Sequence, residues 1–237
     1  MTTTHLTRVS LTGPDDRTNL ADLHALGSEY PFVEWALLYL PSRQGTPRNP
    51  SQAWRDAYWA NKPPGFTALH LCGKEVFDEL LAGRINPELA LADRLQFNIN
   101  ARVRDFTDNE VLAIYATALR IGPALILQYN DETSGVIERF LGLVHSRDAH
   151  RIHVLMDASK GRGESPSTWS VPEVLHSWFH GVAGGLGPQT IVSALTQLAD
   201  HPFDYWADME SNIRTDNELD KDKARAVLAA AKPFVRA

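Results

Sequence analysis

The feature that most constrains the fold of this sequence is an alternation of short apolar runs with helix-like segments, repeated eight times. Each apolar run has the length of a strand and ends in polar or glycine residues, and a helix-like segment follows it. This alternation predicts a parallel sheet, because a right-handed crossover must return the chain to the start of each next strand. The predicted strands are residues 5–11, 32–40, 67–72, 94–99, 124–130, 153–157, 180–183 and 204–209.

Eight strand–helix units in 237 residues indicate the α/β class and a single (β/α)8 TIM barrel. Each unit then takes roughly 25–35 residues, which suits a barrel of this kind. A doubly wound open sheet alternates in the same way and is the structural alternative. The count of eight and the absence of a glycine fingerprint after the first strand favour the barrel. Because no linker or low-complexity tract interrupts the pattern, residues 1–237 are predicted to form one domain.

The helices are predicted from their spacing and their capping residues. Ser51 and Thr107 are expected to cap the helices that follow the second and fourth strands. Pro188 is expected in the first turn of the helix after the seventh strand. The predicted helices are residues 20–26, 51–59, 75–81, 107–120, 135–145 and 218–231.

Charge and composition exclude several classes of function. The formal net charge of −6 argues against a nucleic-acid-binding surface and against a polybasic membrane patch. No apolar run approaches the roughly 20 residues of a membrane span, and the polar start is unlike a signal peptide. The single cysteine excludes an internal disulfide and fits a reducing compartment. We therefore expect a soluble cytoplasmic protein, monomer or homodimer, that binds neither nucleic acid nor membrane.

Two neighbouring strands end in residues that suit an active site. The sixth strand delivers the carboxylate of Asp157 into a glycine-containing loop, where α/β barrels keep their chemistry. The seventh strand breaks into Gly184 and Gly185, whose backbone N–H groups can approach an anion ahead of a helix. An acid beside a phosphate-binding loop predicts an active site for a small phosphorylated substrate.

Polar residues also follow the other strands, at positions that face inward if every second side chain does. Polar groups that converge on one rim of an apolar barrel are costly unless they are paired, so this rim is the expected site. Glu34, lower in the second strand, is expected to pair near the bottom of the barrel. The inward polar and glycine positions are Ser10, Thr12, His70, Cys72, Gln96, Asn98, Asn100, Gln128, Asn130, His153, Asp157, Gly184, Gly185, Glu210 and Ser211.

Four segments resemble phosphoribosylanthranilate isomerase, the barrel enzyme of tryptophan synthesis, three of them strongly and the one at Thr46-Pro-Arg48 more weakly. Leu155-Met-Asp157, followed by a Gly-x-Gly, is similar to the strand-six motif of that family. Residues 182–188 are similar to its strand-seven phosphate loop, which is the most specific match. Residues 208–214 are similar to its strand-eight segment, and Thr46-Pro-Arg48 to the loop that holds the anthranilate carboxylate.

The resemblance implies an Amadori-type isomerisation of a phosphorylated sugar amine, with Asp157 as general acid and without a metal or cofactor. Arg43 and Arg48, on the second loop, are the expected clamp for a substrate carboxylate. Further substrate-binding residues are expected to be Asn98, Asn100 and Gln128. The expected phosphate-binding residues are Gly161, Gly163, Gly184, Gly185, Ser211 and Asn212.

One departure from the family pattern leaves the general base open. Thr12 stands where the family has its catalytic cysteine, and a hydroxyl is too weakly acidic to replace it without an activating partner. Cys72, His70 and Asp16 are the alternative bases, each with a structural role as the competing reading. The functional alternatives are another isomerase, aldolase or lyase acting on a phosphosugar, or a non-catalytic protein that binds a phosphorylated metabolite.

Overall fold

The chain forms a closed barrel of eight parallel strands in which neighbours in sequence are neighbours in space. The structure is a computed structural model that describes residues 5–99, 106–157, 169, 171–199 and 201–236. It confirms the predicted single (β/α)8 TIM barrel. The strands are β1 (Leu6–Thr12), β2 (Val33–Tyr39), β3 (Phe66–Leu71), β4 (Arg94–Phe97), β5 (Ala124–Tyr129), β6 (Ile152–Asp157), β7 (Phe179–Ala183) and β8 (Tyr205–Met209).

The described residues contain seven α-helices outside the barrel. Ser51 and Thr107 cap the second and fourth as predicted, and Thr107 forms a complete capping box with Glu110. No helix in the described part of the chain is long and apolar enough to cross a membrane. The helices are α1 (Leu20–Glu29), α2 (Gln52–Ala60), α3 (Lys74–Leu81), α4 (Asp108–Leu119), α5 (Ser134–Leu141), α6 (Ile191–Gln197) and α7 (Lys221–Ala231).

Several predicted helix boundaries were wrong, among them the end of α1, which is at Glu29 rather than at residue 26. The fifth helix ends at Leu141 rather than at residue 145, and α6 begins three residues after Pro188. The last helix begins at Lys221 because Asp220 caps it, accepting hydrogen bonds from two backbone N–H groups of the first turn. The segment before it forms a short antiparallel ribbon of β9 (Arg214–Thr215) and β10 (Glu218–Leu219). Its two turn residues have positive φ, as a two-residue hairpin requires.

A buried charge cluster fills the lower half of the barrel. Arg94 donates hydrogen bonds of 2.7 and 2.5 Å to the two carboxylate oxygens of Glu34, and Ser10 donates another of 2.5 Å. Arg8 lies 3.6 Å from the same carboxylate. Burial by itself would raise the pKa of Glu34, but the two arginines and Ser10 outweigh it and lower the pKa to about 2. The carboxylate is therefore charged and paired, and the pairing of Glu34 low in the barrel agrees with the sequence prediction.

An apolar layer lies next to this cluster within the barrel. Ile126, Leu155, Ala183 and Trp206 form one buried cluster, and the Trp206 ring also covers the Arg94 guanidinium at 4.2 Å. The ring has this space because β7 carries Gly181, where an added Cβ would lie 2.2 Å from the indole. The layer helps to separate the lower charges from the polar residues at the carboxyl ends of the strands.

We expect the substitution Glu34→Gln to destabilise the protein strongly. It would leave the buried Arg94 and the half-buried Arg8 without their counter-charge, and breaking a buried ion pair typically costs about 3–5 kcal/mol. Urea unfolding followed by circular dichroism would measure the loss. The matched control is Glu79→Gln, which removes an exposed partner of Arg84 and should change stability little. Equal effects of the two substitutions would contradict a structural role for the buried cluster.

Candidate active site

A polar cavity opens at the carboxyl ends of the strands, where the sequence predicted the site. Its described walls enclose about 120 Å³ and come from β3 to β8 and the residues that follow them. Alternation along each strand brings these side chains together, since every second residue of a barrel strand points inward. The lining residues are His70, Gln96, Asn98, Gln128, Asp157, Ala183, Gly184, Gly185, Leu186, Asp208, Met209, Glu210, Ser211 and Asn212.

Two buried carboxyl groups face this cavity at the same height. Asp157 ends β6 and pairs in register with Ala183 of β7, which in turn pairs with Asp208 of β8. The two acids are thus two strands apart, or roughly 10 Å between their Cα atoms at the usual strand spacing. Asp157 is 4% exposed and Asp208 is 9% exposed, so both are largely desolvated.

Asp208 has an environment that favours its protonated form. Burial is the largest cause, and it raises the pKa of this carboxyl to about 7, with Glu210, Glu34 and Asp157 adding negative charge nearby. Thr12 acts in the opposite direction, because its hydroxyl donates a 2.9 Å hydrogen bond to Oδ1 of Asp208. The carboxyl therefore changes its charge near neutral pH.

Sequence reasoning did not single out Asp208 as a site residue. The predicted contribution of the eighth strand is Glu210 and Ser211, which lie just beyond its end. The missed signal was the period of two: Trp206 fills the barrel, so Asp208 and then Glu210 continue on the same face.

His70 lies in the cavity wall as predicted, and its surroundings favour a neutral imidazole. Burial lowers the pKa of His70 to about 4. Nε2 of Gln96 lies 3.3 Å from Nδ1 of His70 and 2.9 Å from Oδ1 of Asn98. If the Gln96 amide donates to Nδ1, the histidine proton is on Nε2, which has no partner among the described residues. This arrangement makes His70 a hydrogen-bond donor rather than a base.

Cys72 follows β3 and is held as a thiol. Burial raises its pKa to about 12, although Asn98 donates a 3.2 Å hydrogen bond to the sulfur. The thiol itself donates to the backbone carbonyl of His70 at 3.4 Å. A thiolate would be needed for proton abstraction, and these surroundings disfavour it at neutral pH.

The two arginines of the second loop have different positions. Arg43 is exposed in a short 3₁₀ turn and is not part of the cavity wall. Arg48 has a φ of 71° and its guanidinium donates to Glu210 at 2.9 Å and to Asn217 at 2.6 Å. Since Glu210 lines the cavity, Arg48 lies at the rim.

Asp16, the third alternative base, is used in local structure. Its carboxylate accepts hydrogen bonds from the backbone N–H and the hydroxyl of Ser51, the cap of α2. Asp16 is exposed and does not line the cavity. Its contacts favour the turn role over the catalytic one.

The glycine pair after β7 and the turn after β8 are joined. Gly184 and Gly185 have φ angles of 119° and 61°, which favour glycine. The side chain of Asn212 donates a 2.9 Å hydrogen bond to the carbonyl of Gly185, and Ser211 is exposed beside it. Both segments line the cavity, and phosphate binding by them stays a prediction. The remaining expected residues, Asn100, Gly161 and Gly163, lie outside the described residues.

The described wall of the cavity is acidic. Asp157, Asp208 and Glu210 contribute three carboxyl groups, and the described lining residues include no lysine or arginine. An anion at the glycine pair would therefore depend on backbone N–H groups. Within the described ranges, no group of three or more histidine, cysteine, aspartate or glutamate residues is arranged to hold a metal ion.

A larger cavity of about 540 Å³ lies beside the barrel, between the loop after β2 and α3. Its wall includes Tyr39, Glu75 and Arg84, and Arg84 is paired with Glu79. Its described lining residues include no pair of buried acids. The cavity at the strand ends, although smaller, holds the residues with altered acidity and is the better candidate.

Fold and site together define the class of this protein as a (β/α)8 barrel with an acidic cavity at the carboxyl ends of its strands. No protein-family model matches the sequence, and no curated protein matches it significantly. Solved structures with a similar fold include phosphoribosyl anthranilate isomerase from Thermus thermophilus, with 15% identity and a TM-score of 0.54. That match covers 96% of this chain and 99% of that one.

Two further matches have the same architecture. N-(5'-phosphoribosyl)anthranilate isomerase from Pyrococcus furiosus has 12% identity and a TM-score of 0.53, covering 96% of this chain and 99% of that one. The spore coat polysaccharide biosynthesis protein spsE from Bacillus subtilis has 9% identity and a TM-score of 0.59, covering 98% and 69%. At these identities the likeness establishes the fold.

We expect Asp208→Asn to stabilise the protein at pH 8 but not at pH 4. Because the pKa of Asp208 is raised to about 7 in the folded state, the folded chain binds more protons than the unfolded chain between pH about 4 and about 7. The free energy of unfolding of the wild type therefore falls by up to about 4 kcal/mol as pH rises through this window. The asparagine variant has no carboxyl at this position and does not undergo this fall.

Urea unfolding at pH 4, 6 and 8 would measure this difference. The control is Asp78→Asn, an exposed carboxylate on α3 paired with Lys74, whose curve should follow the wild type closely. A stability difference between Asp208→Asn and wild type that stays constant with pH would contradict the raised pKa.

Proposed function

We propose that this protein is an isomerase of the phosphoribosylanthranilate isomerase type, which acts on a small phosphorylated sugar amine. The observation that carries the proposal is the position of Asp157, a buried acid that faces a polar cavity at the carboxyl end of β6. Gly184 and Gly185, which follow the next strand, border the same cavity. An acid and a backbone anion site in one barrel mouth suit a phosphorylated substrate.

The reaction needs an acid near the ring oxygen of the sugar and a base over C2. Asp157, as the acid, gives its proton to the ring oxygen while the C1–O bond breaks and the substrate nitrogen forms an iminium. Loss of the C2 proton then gives an enolamine, which becomes the ketose amine. Neither step requires a metal or a cofactor.

Several wall residues suit the binding of such a substrate. Gln128, Asn98 and His70 line the cavity with polar side chains that suit sugar hydroxyls. Arg48 at the rim suits a substrate carboxylate, which would have to replace Glu210 as its partner. Ser211, Asn212 and the glycine pair suit the phosphate.

The structural likeness to two phosphoribosylanthranilate isomerases along 96% of the chain supports this choice among barrel functions. A fold does not fix a reaction, so the reaction must be inferred from the residues of the site. Thr12, at the position of the family's thiol, favours the second candidate, a different isomerase or lyase reaction on a phosphosugar. A purely binding protein is disfavoured, because an anion site gains nothing from buried carboxyl groups such as Asp157.

Part of the proposal rests on the resemblance in sequence motifs. Placement in tryptophan synthesis depends on the identity of the substrate amine, and would follow if that amine is anthranilate. A cytoplasmic location and a monomeric or homodimeric state remain predictions from composition.

We expect Asp157→Asn to lower turnover of freshly generated phosphoribosylanthranilate by about 10²- to 10⁴-fold, because the ring oxygen would lose its proton donor. Steady-state fluorescence kinetics of the wild type and the variant would measure it. Asp78→Asn is the control and should keep wild-type turnover, since Asp78 is a surface residue of α3. Full activity of Asp157→Asn would remove Asp157 from the mechanism, and an inactive wild type would exclude the named reaction.

We expect ribose 5-phosphate to raise the melting temperature of the wild type, and ribose to have little effect, because the phosphate supplies the main contacts. Gly184→Ala should weaken this shift, since a side chain at a φ of 119° strains the loop whose N–H groups bind the anion. The matched control is Gly122→Ala, with a φ of 122° and open space around an added Cβ. Equal shifts in the two variants would place the phosphate elsewhere.

A further inference from the structure

The proposed reaction lacks a base among the residues that the sequence suggested. The Thr12 hydroxyl donates its hydrogen to Asp208, and Cys72 is held as a thiol. His70 is neutral, with the amide of Gln96 beside its Nδ1. None of the three is placed to take a proton from carbon at neutral pH.

We propose that Asp208 is the general base that removes the C2 proton, and that Thr12 is a positioning residue that holds its carboxylate. This inference rests on the proposed isomerase function and names the base that function needs. It moves the proton acceptor from the first strand of the barrel to the last.

The geometry of β1 and β8 supports this assignment. Ser10 pairs in register with Asp208, and two residues further along β1 the Thr12 hydroxyl reaches Oδ1 of Asp208 at 2.9 Å. Oδ2 of Asp208 accepts no hydrogen bond from a described residue, and the side chain lines the cavity. One carboxylate oxygen is thus fixed and the other is available to substrate.

The position of Asp208 relative to the acid also suits the reaction. Asp157 lies two strands away at the same height, so a sugar between them would meet one group on each side. The reaction needs one group that gives a proton to the ring oxygen and another that takes a proton from C2, and these two carboxyls face one cavity.

The charges around Asp208 increase its strength as a base. The charged groups that raise its pKa are Asp157 on β6, Glu34 on β2 and Glu210 beyond β8, while the neutral hydroxyl of Thr12 lowers it. The described cations on this side are Arg48, which pairs with Glu210, and Arg214, whose guanidinium donates to the backbone carbonyls of Thr12 and Gly13. Burial first, and these carboxylates second, raise the pKa of Asp208 to about 7, where a general base is most effective at neutral pH.

The protons balance over the whole reaction. Asp208 takes the C2 proton, and the electron pair left behind forms the C1–C2 double bond as the iminium nitrogen regains its lone pair. When the enolamine becomes the ketone, Asp208 returns its proton to C1. The proton lost from the C2 hydroxyl replaces the one that Asp157 gave to the ring oxygen, so both acids end as they began.

The test is a pH profile of kcat and kcat/KM on freshly generated phosphoribosylanthranilate for the wild type, Asp208→Asn, Thr12→Val and Thr12→Ser. We expect wild-type activity to rise with pH through about 7, since the base must be ionised. Asp208→Asn should lower kcat by about 10²- to 10⁴-fold with little change in KM. Thr12→Val should move the acidic limb to higher pH, because it removes the hydrogen bond that lowers the pKa, and Thr12→Ser should restore the wild-type profile.

The possible failures are distinguishable. An inactive wild type overturns the named reaction and this assignment with it. An active wild type together with a kcat of Asp208→Asn within about threefold of it overturns the assignment alone, as does a Thr12→Val profile that coincides with the wild type. An unfolding curve of Asp208→Asn distinguishes loss of the base from loss of the fold. We expect this variant to be at least as stable as the wild type at pH 8.

Discussion

The pairing of β1 with β8 closes the barrel, and the rest of the structure depends on that closure. Once eight strands form a ring, every second side chain is committed to the interior, whether it is apolar or not. In this chain the interior receives many polar residues, from Glu34 and Arg94 in the lower half to Asp208 in the upper half. Each such group must find a partner or be left with a raised free energy, and the two halves of the barrel meet this requirement differently.

Glu34 and Asp208 show the difference, because both are carboxyls buried in one barrel and their pKa values move in opposite directions. Glu34 has Arg94, Arg8 and Ser10 as partners, so its charged form is favoured despite burial. Asp208 has one hydroxyl, from Thr12, and other carboxyls nearby, so its neutral form is favoured. The lower half of the barrel thus stabilises the fold, while the upper half retains a carboxyl whose ionisation costs stability. A carboxyl whose pKa is shifted in this way is typical of functional sites.

The sequence predicted the fold well because the fold depends on patterns that are local. Apolar runs followed by Ser51 or Thr107 specify strands and helix starts without knowledge of distant contacts. Helix boundaries were wrong where another local structure was more favourable. Asp220 caps the last helix, and the residues before it pair as an antiparallel ribbon instead of continuing the helix.

The site was less predictable, because protonation depends on neighbours far apart in sequence. The inward positions of His70 and Asp157 followed from strand period, but the shift of His70 toward a neutral imidazole depends on burial inside a closed ring. Asp208 could have been found by continuing the period of two from Trp206. Its partnership with Thr12 joins residues 196 positions apart, and only barrel closure makes it.

The hydrogen bond to Asp208 suggests a role for Thr12 that its own weak acidity does not provide. A thiol at the end of β1 could act on substrate directly, whereas a hydroxyl is suited to donate a hydrogen bond and fix the group that acts. Burial raises the pKa of Asp208 and the hydroxyl of Thr12 lowers it. The result is a pKa of about 7, so this carboxyl can ionise near neutral pH. Under the proposed function, the base lies on the eighth strand and the residue that positions it on the first, and barrel closure makes these two strands neighbours.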